Sequence, residues 1–289
     1  MSITIIDYPI KNNPSYKRNQ DRADSRYIEF QDRGPLGAVL HSIGTPQPSA
    51  KANAEYFNSP AAAKAEVSVH MVLQADGICY RLAPDNYRLW HVGGSANNTH
   101  MGIEMTEPDC ISYDANNGYK LTIHNRAKAL DHVTNTYSRA VDLFAGLCMT
   151  HGWNPLKDGV ILSHTECYKR GIGGNHGDPE HLWDALKTGY TMDGFRRDVA
   201  KKVQELEDGD LARKIEAIVK KIIAQGNKEK QDNDSGAWSA DARSWAITFG
   251  IVNGVGTFPD GTPNYAWEAP VTREQMVTML YRFAKISKE

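Results

Sequence analysis

Long hydrophobic runs are missing from this chain. None approaches the roughly 20 apolar residues that a membrane-spanning helix needs, so membrane insertion is not expected. The start, Met1-Ser2-Ile3-Thr4-Ile5-Ile6-Asp7, lacks a basic segment followed by a long apolar core, so a secretory signal is not expected either. Cysteine is scarce: Cys79, Cys110, Cys148 and Cys167 show no Cys-x-x-Cys spacing and read as reduced, mostly buried thiols. Neither sign of charge is in excess. The formal net charge is -2 and basic residues are not interleaved with aromatics, so nucleic acid is not an expected partner. The chain also has no Gly-x-x-x-x-Gly-Lys phosphate loop, no Gly-x-Ser-x-Gly elbow and no His-Glu-x-x-His helix.

What is present is the balance of a folded globular protein, with 40% hydrophobic and 24% charged residues over 289 positions. Three regions separate by composition. Residues 1–192 alternate strand-like and helix-like apolar runs, which predicts an α/β domain. Strands are expected at 38–43, 68–74, 78–82, 102–106 and 160–164, with Asp76-Gly77 as a hairpin turn. Leu130, Val133, Tyr137, Val141, Phe144 and Leu147 recur at helical spacing, predicting a helix over 125–149 that Gly152 ends. Residues 193–235 carry apolar stripes on a Lys/Glu-rich background. They read as two helical linker segments broken at Asp208-Gly209-Asp210, packing on their own domain or pairing with another subunit. Residues 236–289 form a small tail. Phe258-Pro259-Asp260-Gly261 is turn chemistry, and Thr272 caps a helix burying Met276, Met279, Leu280 and Phe283.

The chemistry gathers in the first region. His41 and His164 each stand at the end of an apolar, β-rich run, where neighbouring strands can bring side chains to one point. A catalytic zinc uses three protein ligands and keeps a place for water, whose pKa it lowers to about 7. The third ligand is expected at Asp178, beyond a glycine-rich loop that can fold back, with Cys167 as the alternative. Glu104 lies on an apolar strand, where a carboxylate is costly unless paired or functional; it is the candidate general base. His176 can stabilise an oxyanion when protonated. Trp90 and His91, beside Val92-Gly93-Gly94, suit the wall of a groove.

In this order the segments resemble the type 2 N-acetylmuramoyl-L-alanine amidase family. Val39-Leu40-His41 resembles its first zinc histidine, 68–77 followed by Tyr80 its hairpin, and Trp90-His91-Val92-Gly93 its groove segment. Asn97 through Gly102-Ile103-Glu104 resembles the part carrying the catalytic glutamate, Leu162-Ser163-His164 the second zinc histidine and Asp178-Pro179 the last ligand. The resemblance implies a mixed central β-sheet flanked by helices, a zinc ion (Zn2+) on His41, His164 and Asp178, and Trp90, His91 and Asn97 as substrate-binding residues. It implies hydrolysis of the amide bond between N-acetylmuramic acid and L-alanine in peptidoglycan. His176 stands where many relatives have lysine.

The tail resembles a single surface-layer-homology repeat, through Gly250-Ile251-Val252-Asn253-Gly254, Phe258-Pro259-Asp260 and Val271-Thr272-Arg273. That resemblance implies binding to a secondary cell-wall polymer involving Arg273, and, since such repeats come in threes, a homo-oligomer. An amidase with a wall-binding tail and no signal is similar to a phage endolysin that collects in a Gram-positive host's cytoplasm and reaches the wall after a holin opens the membrane. The alternatives are a peptidoglycan-binding module that does not cut, and a cytosolic amidase recycling muropeptides.

Overall fold

The computed structural model describes residues 3–11, 13, 30, 34–229, 237–254, 256–257, 261, 263–265, 267 and 270–286. They fall into two compact units, Met1–Leu206 and Glu207–Glu289.

In the first unit the chain forms β1 (Thr4–Asp7), β2 (Gly37–Ser42), α1 (Ala50–Phe57), α2 (Pro60–Ala65), β3 (Met71–Leu73), β4 (Ile78–Arg81) and β5 (His100–Met105). A hairpin of β6 (Ile111–Asp114) and β7 (Lys120–Ile123) follows, then α3 (Arg126–His151), β8 (Ile161–Ser163), α4 (His164–Lys169) and α5 (Glu180–Ala185). The central sheet has the order β1-β4-β3-β5-β2-β8. It is mixed: β3 and β4 pair antiparallel, while the pairs β1–β4, β3–β5, β5–β2 and β2–β8 are parallel. The expected fold class is the one observed.

Period-two alternation decides which side chains share a face. Ala38, Leu40, Met101, Ile103, Met71 and Leu73 join Val133, Tyr137 and Phe144 of α3 in the main core. Val39, Gly102 and Glu104 therefore face the other way, as does His41. On that face Val39 and Leu162 pack with Val92, Ala96 and Cys167, and Val72 packs with Ala50, Ala54 and Phe57 of α1. Asn125 caps α3 by accepting from the Lys128 backbone N–H, and Gly152 at φ 66° ends it.

Three expectations change. His164 is not on a strand: β8 stops at Ser163, whose side chain caps α4 in a capping box with Glu166, so His164 is the first helical residue. The linker is one helix, α6 (Met192–Glu229), unbroken at Asp208-Gly209-Asp210. A helical glycine costs about 1 kcal/mol, too little to break a long helix, and Asp210 pairs with Lys214 at 2.7 Å across the next turn. The start of α6 belongs to the first unit rather than to a linker. Phe195 and Val199 are fully buried in the main core, and Arg196 pairs with Glu166 of α4 at 2.9 Å.

The second unit contains α7 (Ala240–Thr248), the paired β9 (Gly256–Thr257) and β10 (Pro263–Asn264), and α8 (Arg273–Ile286). Thr272 caps α8: the Gln275 N–H donates to Thr272 Oγ1, and Thr272 N–H donates to Gln275 Oε1. Met276, Met279, Leu280 and Phe283 are half-buried, not buried, because so short a segment closes little core. The turn at Phe258-Pro259-Asp260 lies outside the described residues. Among the described residues no helix is long and apolar enough to cross a membrane.

Candidate metal centre and active site

Parallel strands deliver functional groups at their carboxyl ends. Here His41 near the end of β2 is the register partner of Glu104 near the end of β5, and His164 follows β8 directly. The 171–177 loop folds back over this edge: Gly174 N–H donates to Val92 O at 2.7 Å, and Ala96 N–H to Ile172 O at 3.0 Å. Asp178 is thereby brought to the two histidines. His41, His164 and Asp178 are all buried, and one donor atom from each lies within 4.8 Å of the others.

The proton positions in this group follow from its outer partners. A carbonyl only accepts, so His164 carries its proton on Nε2, facing Val92 O at 3.1 Å. By the same logic His91 carries its proton on Nε2, facing His100 O at 3.0 Å. Burial, then the neighbouring His41, hold the His91 pKa well below the ordinary imidazole value, so His91 is neutral and its Nδ1 accepts. That nitrogen is 3.0 Å from His41 Nε2, which therefore carries the His41 proton. In the singly protonated rings the remaining nitrogens, His41 Nδ1 and His164 Nδ1, are lone pairs, and they stand 3.1 and 3.2 Å from the Asp178 carboxylate oxygens. Lone pairs facing carboxylate oxygens repel unless a cation lies among them. Two neutral imidazoles and an ionised carboxylate are the donor set of a divalent-metal site, and the residues fit one.

Glu104 stands beside this group, 9% exposed, and its Oε2 is buried with no hydrogen-bond partner among the described residues. Burial first, then the charges of Asp178 and Glu107, raise its pKa well above the ordinary value. An orphaned, proton-retaining carboxyl beside a cation site is placed for proton transfer. His176 stacks on His164 with ring centroids 4.5 Å apart, and its Nδ1 is 3.9 Å from Asp178. Partial burial and His164 lower its pKa, so its cationic form belongs to acidic solution.

The remaining expected residues are spread more widely. His91 lies behind His41 as its hydrogen-bond acceptor. Asn97 is fully buried, and its amide is engaged by the backbone of His91, Val92 and Gly94. It shapes the 91–94 segment from inside the fold. Trp90 is half-buried, with its carbonyl accepting from Ser68 N–H. Arg273 is exposed at the start of α8, in the second unit. Cys167 sits outside the donor group, fully buried among Val39, Val92 and Leu162, and burial pushes its thiol up to about 12. His70, a further histidine beside the site, is a satisfied core residue: Nδ1 accepts from Gly102 N–H and Nε2 donates to Tyr87 O.

Gly102 has a role that a motif alone does not disclose. A Cβ there would lie 2.4 Å from His91 Cγ. Gly102→Ala must push the His91 ring away from its place between His41 and His100. The expected results are a stability loss of about 1–3 kcal/mol from overpacking and weaker metal binding. Unchanged melting and unchanged zinc competition would sink this reading.

Comparison with known proteins agrees with the fold. The family profile described as N-acetylmuramoyl-L-alanine amidase (Amidase_2) matches residues 31–181, more than half of the 289-residue chain. The Staphylococcus aureus hydrolase AmiA, solved with its ligand, superposes with a TM-score of 0.52 at 16% identity, covering 70% of this chain and 84% of that one. A mutant endolysin from Bacillus subtilis gives 0.40 at 21% identity, covering 65% and 98%. No curated protein matches significantly.

Proposed function

Because the chain belongs to the N-acetylmuramoyl-L-alanine amidase family, we propose that its first unit cleaves the muramoyl–L-alanine amide of peptidoglycan with a zinc ion held by His41, His164 and Asp178. The observation that carries this is the convergence of two imidazole Nδ1 atoms on one buried carboxylate. A zinc ion there supplies Lewis acidity, polarising the amide carbonyl and making water easier to deprotonate. Glu104 takes the proton from the attacking water and passes it to the departing L-alanine nitrogen. His176, beside the ligands, donates a hydrogen bond to the oxygen on which charge develops. Trp90 borders the substrate, while His91 and Asn97 act from behind it.

The second unit extends this reading to a phage lysis enzyme that collects in the host cytoplasm and meets the wall after holin action. Trp238, Trp245, Trp267 and Tyr281 are 43–61% exposed there, each presenting an apolar ring with a polar tip to solvent. With Arg273 they would bind a secondary wall polymer. Ile218 and Ile222 of α6, both more than half exposed, would pair copies of the chain. A chain that stays monomeric over a wide concentration range would overturn the pairing.

Purified Gram-positive wall provides the test of the reaction. Mass spectrometry of the digest is expected to show free L-alanine amino termini on released stem peptides, with cleavage lost in chelator and restored by zinc. Cleavage that persists in chelator rejects the metal mechanism. Zinc uptake without cleavage favours a module that binds wall and does not cut it.

A further inference from the structure

Three residues past Glu104 lies a second glutamate that the proposed reaction does not use. Glu107 is fully buried, and among the described residues no lysine or arginine pairs with it. Its carboxylate is held by hydroxyls: Ser42 Oγ donates to Oε1 at 2.7 Å, and the Tyr113 phenol donates to Oε2 at 2.7 Å. The nearest group able to carry positive charge is His181, whose Nε2 is 3.7 Å from Oε1. A carboxylate buried without a lysine or arginine is an expensive way to fill space, since a neutral side chain of similar shape would avoid the desolvation cost.

The partners explain where that cost is directed. Ser42 directly follows His41, and its backbone N–H donates to Asp178 Oδ2 at 3.3 Å. Tyr113, on β6, gives its proton to Glu107, so its oxygen accepts from His181 Nε2–H at 2.8 Å. His181 is on α5, three residues after Asp178. Glu107 thus grips the Asp178 region from both sides: through the Ser42 segment that donates to its carboxylate, and through the helix that begins just after it. The hairpin β6–β7 supplies one of the two grips.

We propose that Glu107 is a positioning residue of the metal centre, fixing the Asp178 carboxylate through Ser42 on one side and through Tyr113 and His181 on the other. This rests on the reading of His41, His164 and Asp178 as metal ligands. Groups that orient ligands in this way are typically worth about 10–100-fold in metal affinity.

The test is zinc affinity of the full chain, measured by competition with a chromogenic chelator, alongside melting of the zinc-free protein. Glu107→Gln keeps the shape but turns one acceptor into a donor facing a hydroxyl. It is expected to bind zinc 10–100-fold more weakly. Tyr113→Phe, which keeps the ring and its packing, is expected to weaken zinc in the same direction by a smaller factor. Affinities within twofold of the parent for both variants overturn the proposal, whatever happens to melting, because a purely structural carboxylate would move melting and leave affinity alone. Should Glu107→Gln fail to fold, Tyr113→Phe decides the matter. A parent chain that binds zinc but does not cut wall refutes the amidase reading and leaves this comparison intact.

Discussion

Asp178→Ala is expected to lose zinc and, with it, cleavage of the wall. Two neutral imidazoles remain in that variant, His41 and His164, with no anionic donor to offset the charge of a divalent ion. Catalytic zinc sites keep three protein ligands. The loss in affinity should therefore exceed the roughly 10–100-fold that ligand-orienting groups supply. Cys167→Ser is the matching control. Cys167 is one helical turn beyond His164 in sequence, yet its sulfur is enclosed by Val39, Val92 and Leu162 and is absent from the donor group. Cys167→Ser should keep zinc and lose some stability, since a hydroxyl replaces a thiol in an apolar pocket. Chelator competition on both variants decides between them. Retained zinc in Asp178→Ala with lost zinc in Cys167→Ser would exchange the two roles.

The sequence carries this site unevenly, for physical reasons. His41 and Glu104 are legible because strand alternation forces them onto one face once Leu40 and Ile103 are assigned to the core. His164 is legible as a residue but not as a helix start, because Ser163 and Glu166 form a capping box inside a run that otherwise reads as strand. Asp178 is preferred to Cys167 because the glycine-rich loop before it can fold back, and geometry separates them: α4 turns Cys167 into the apolar cluster with Val39, Val92 and Leu162. The partners of the ligands are not legible at all. His91 meets His41 because β2 and β5 pair in a register that sets Gly102 opposite Val39, leaving room for the ring. The β6–β7 hairpin, which brings Tyr113 to Glu107, is made of two four-residue strands, and although Lys120–Ile123 alternates exposed and half-buried, so short a run stands out little. α6 reads as broken because Asp-Gly-Asp is turn chemistry in isolation, and Asp210 instead pairs along the helix. Local pattern gives the frame and the ligands. Register and loop closure give the contacts that orient them.

Glu104→Gln is expected to keep the metal and lose turnover by about 10²–10⁴-fold, the range for removing a general acid–base group. The amide is nearly isosteric, so the face of β5 is preserved while the transferable proton is removed. Two measurements separate this from a packing defect. The first is zinc competition, which should match the parent because Glu104 lies outside the donor group. The second is the pH dependence of stability in the zinc-free protein. Burial, Asp178 and Glu107 raise the Glu104 pKa, so between the ordinary carboxylate value and the raised one the folded state holds a proton that the unfolded chain has released. In that window stability falls as pH rises. Glutamine has no such proton. The variant's melting temperature, relative to the parent's, should therefore climb as pH rises above the ordinary carboxylate range, even as activity is lost. A near-normal rate in Glu104→Gln removes this side chain from the reaction. A melting difference that does not change with pH shows that its carboxyl is not held protonated by its surroundings.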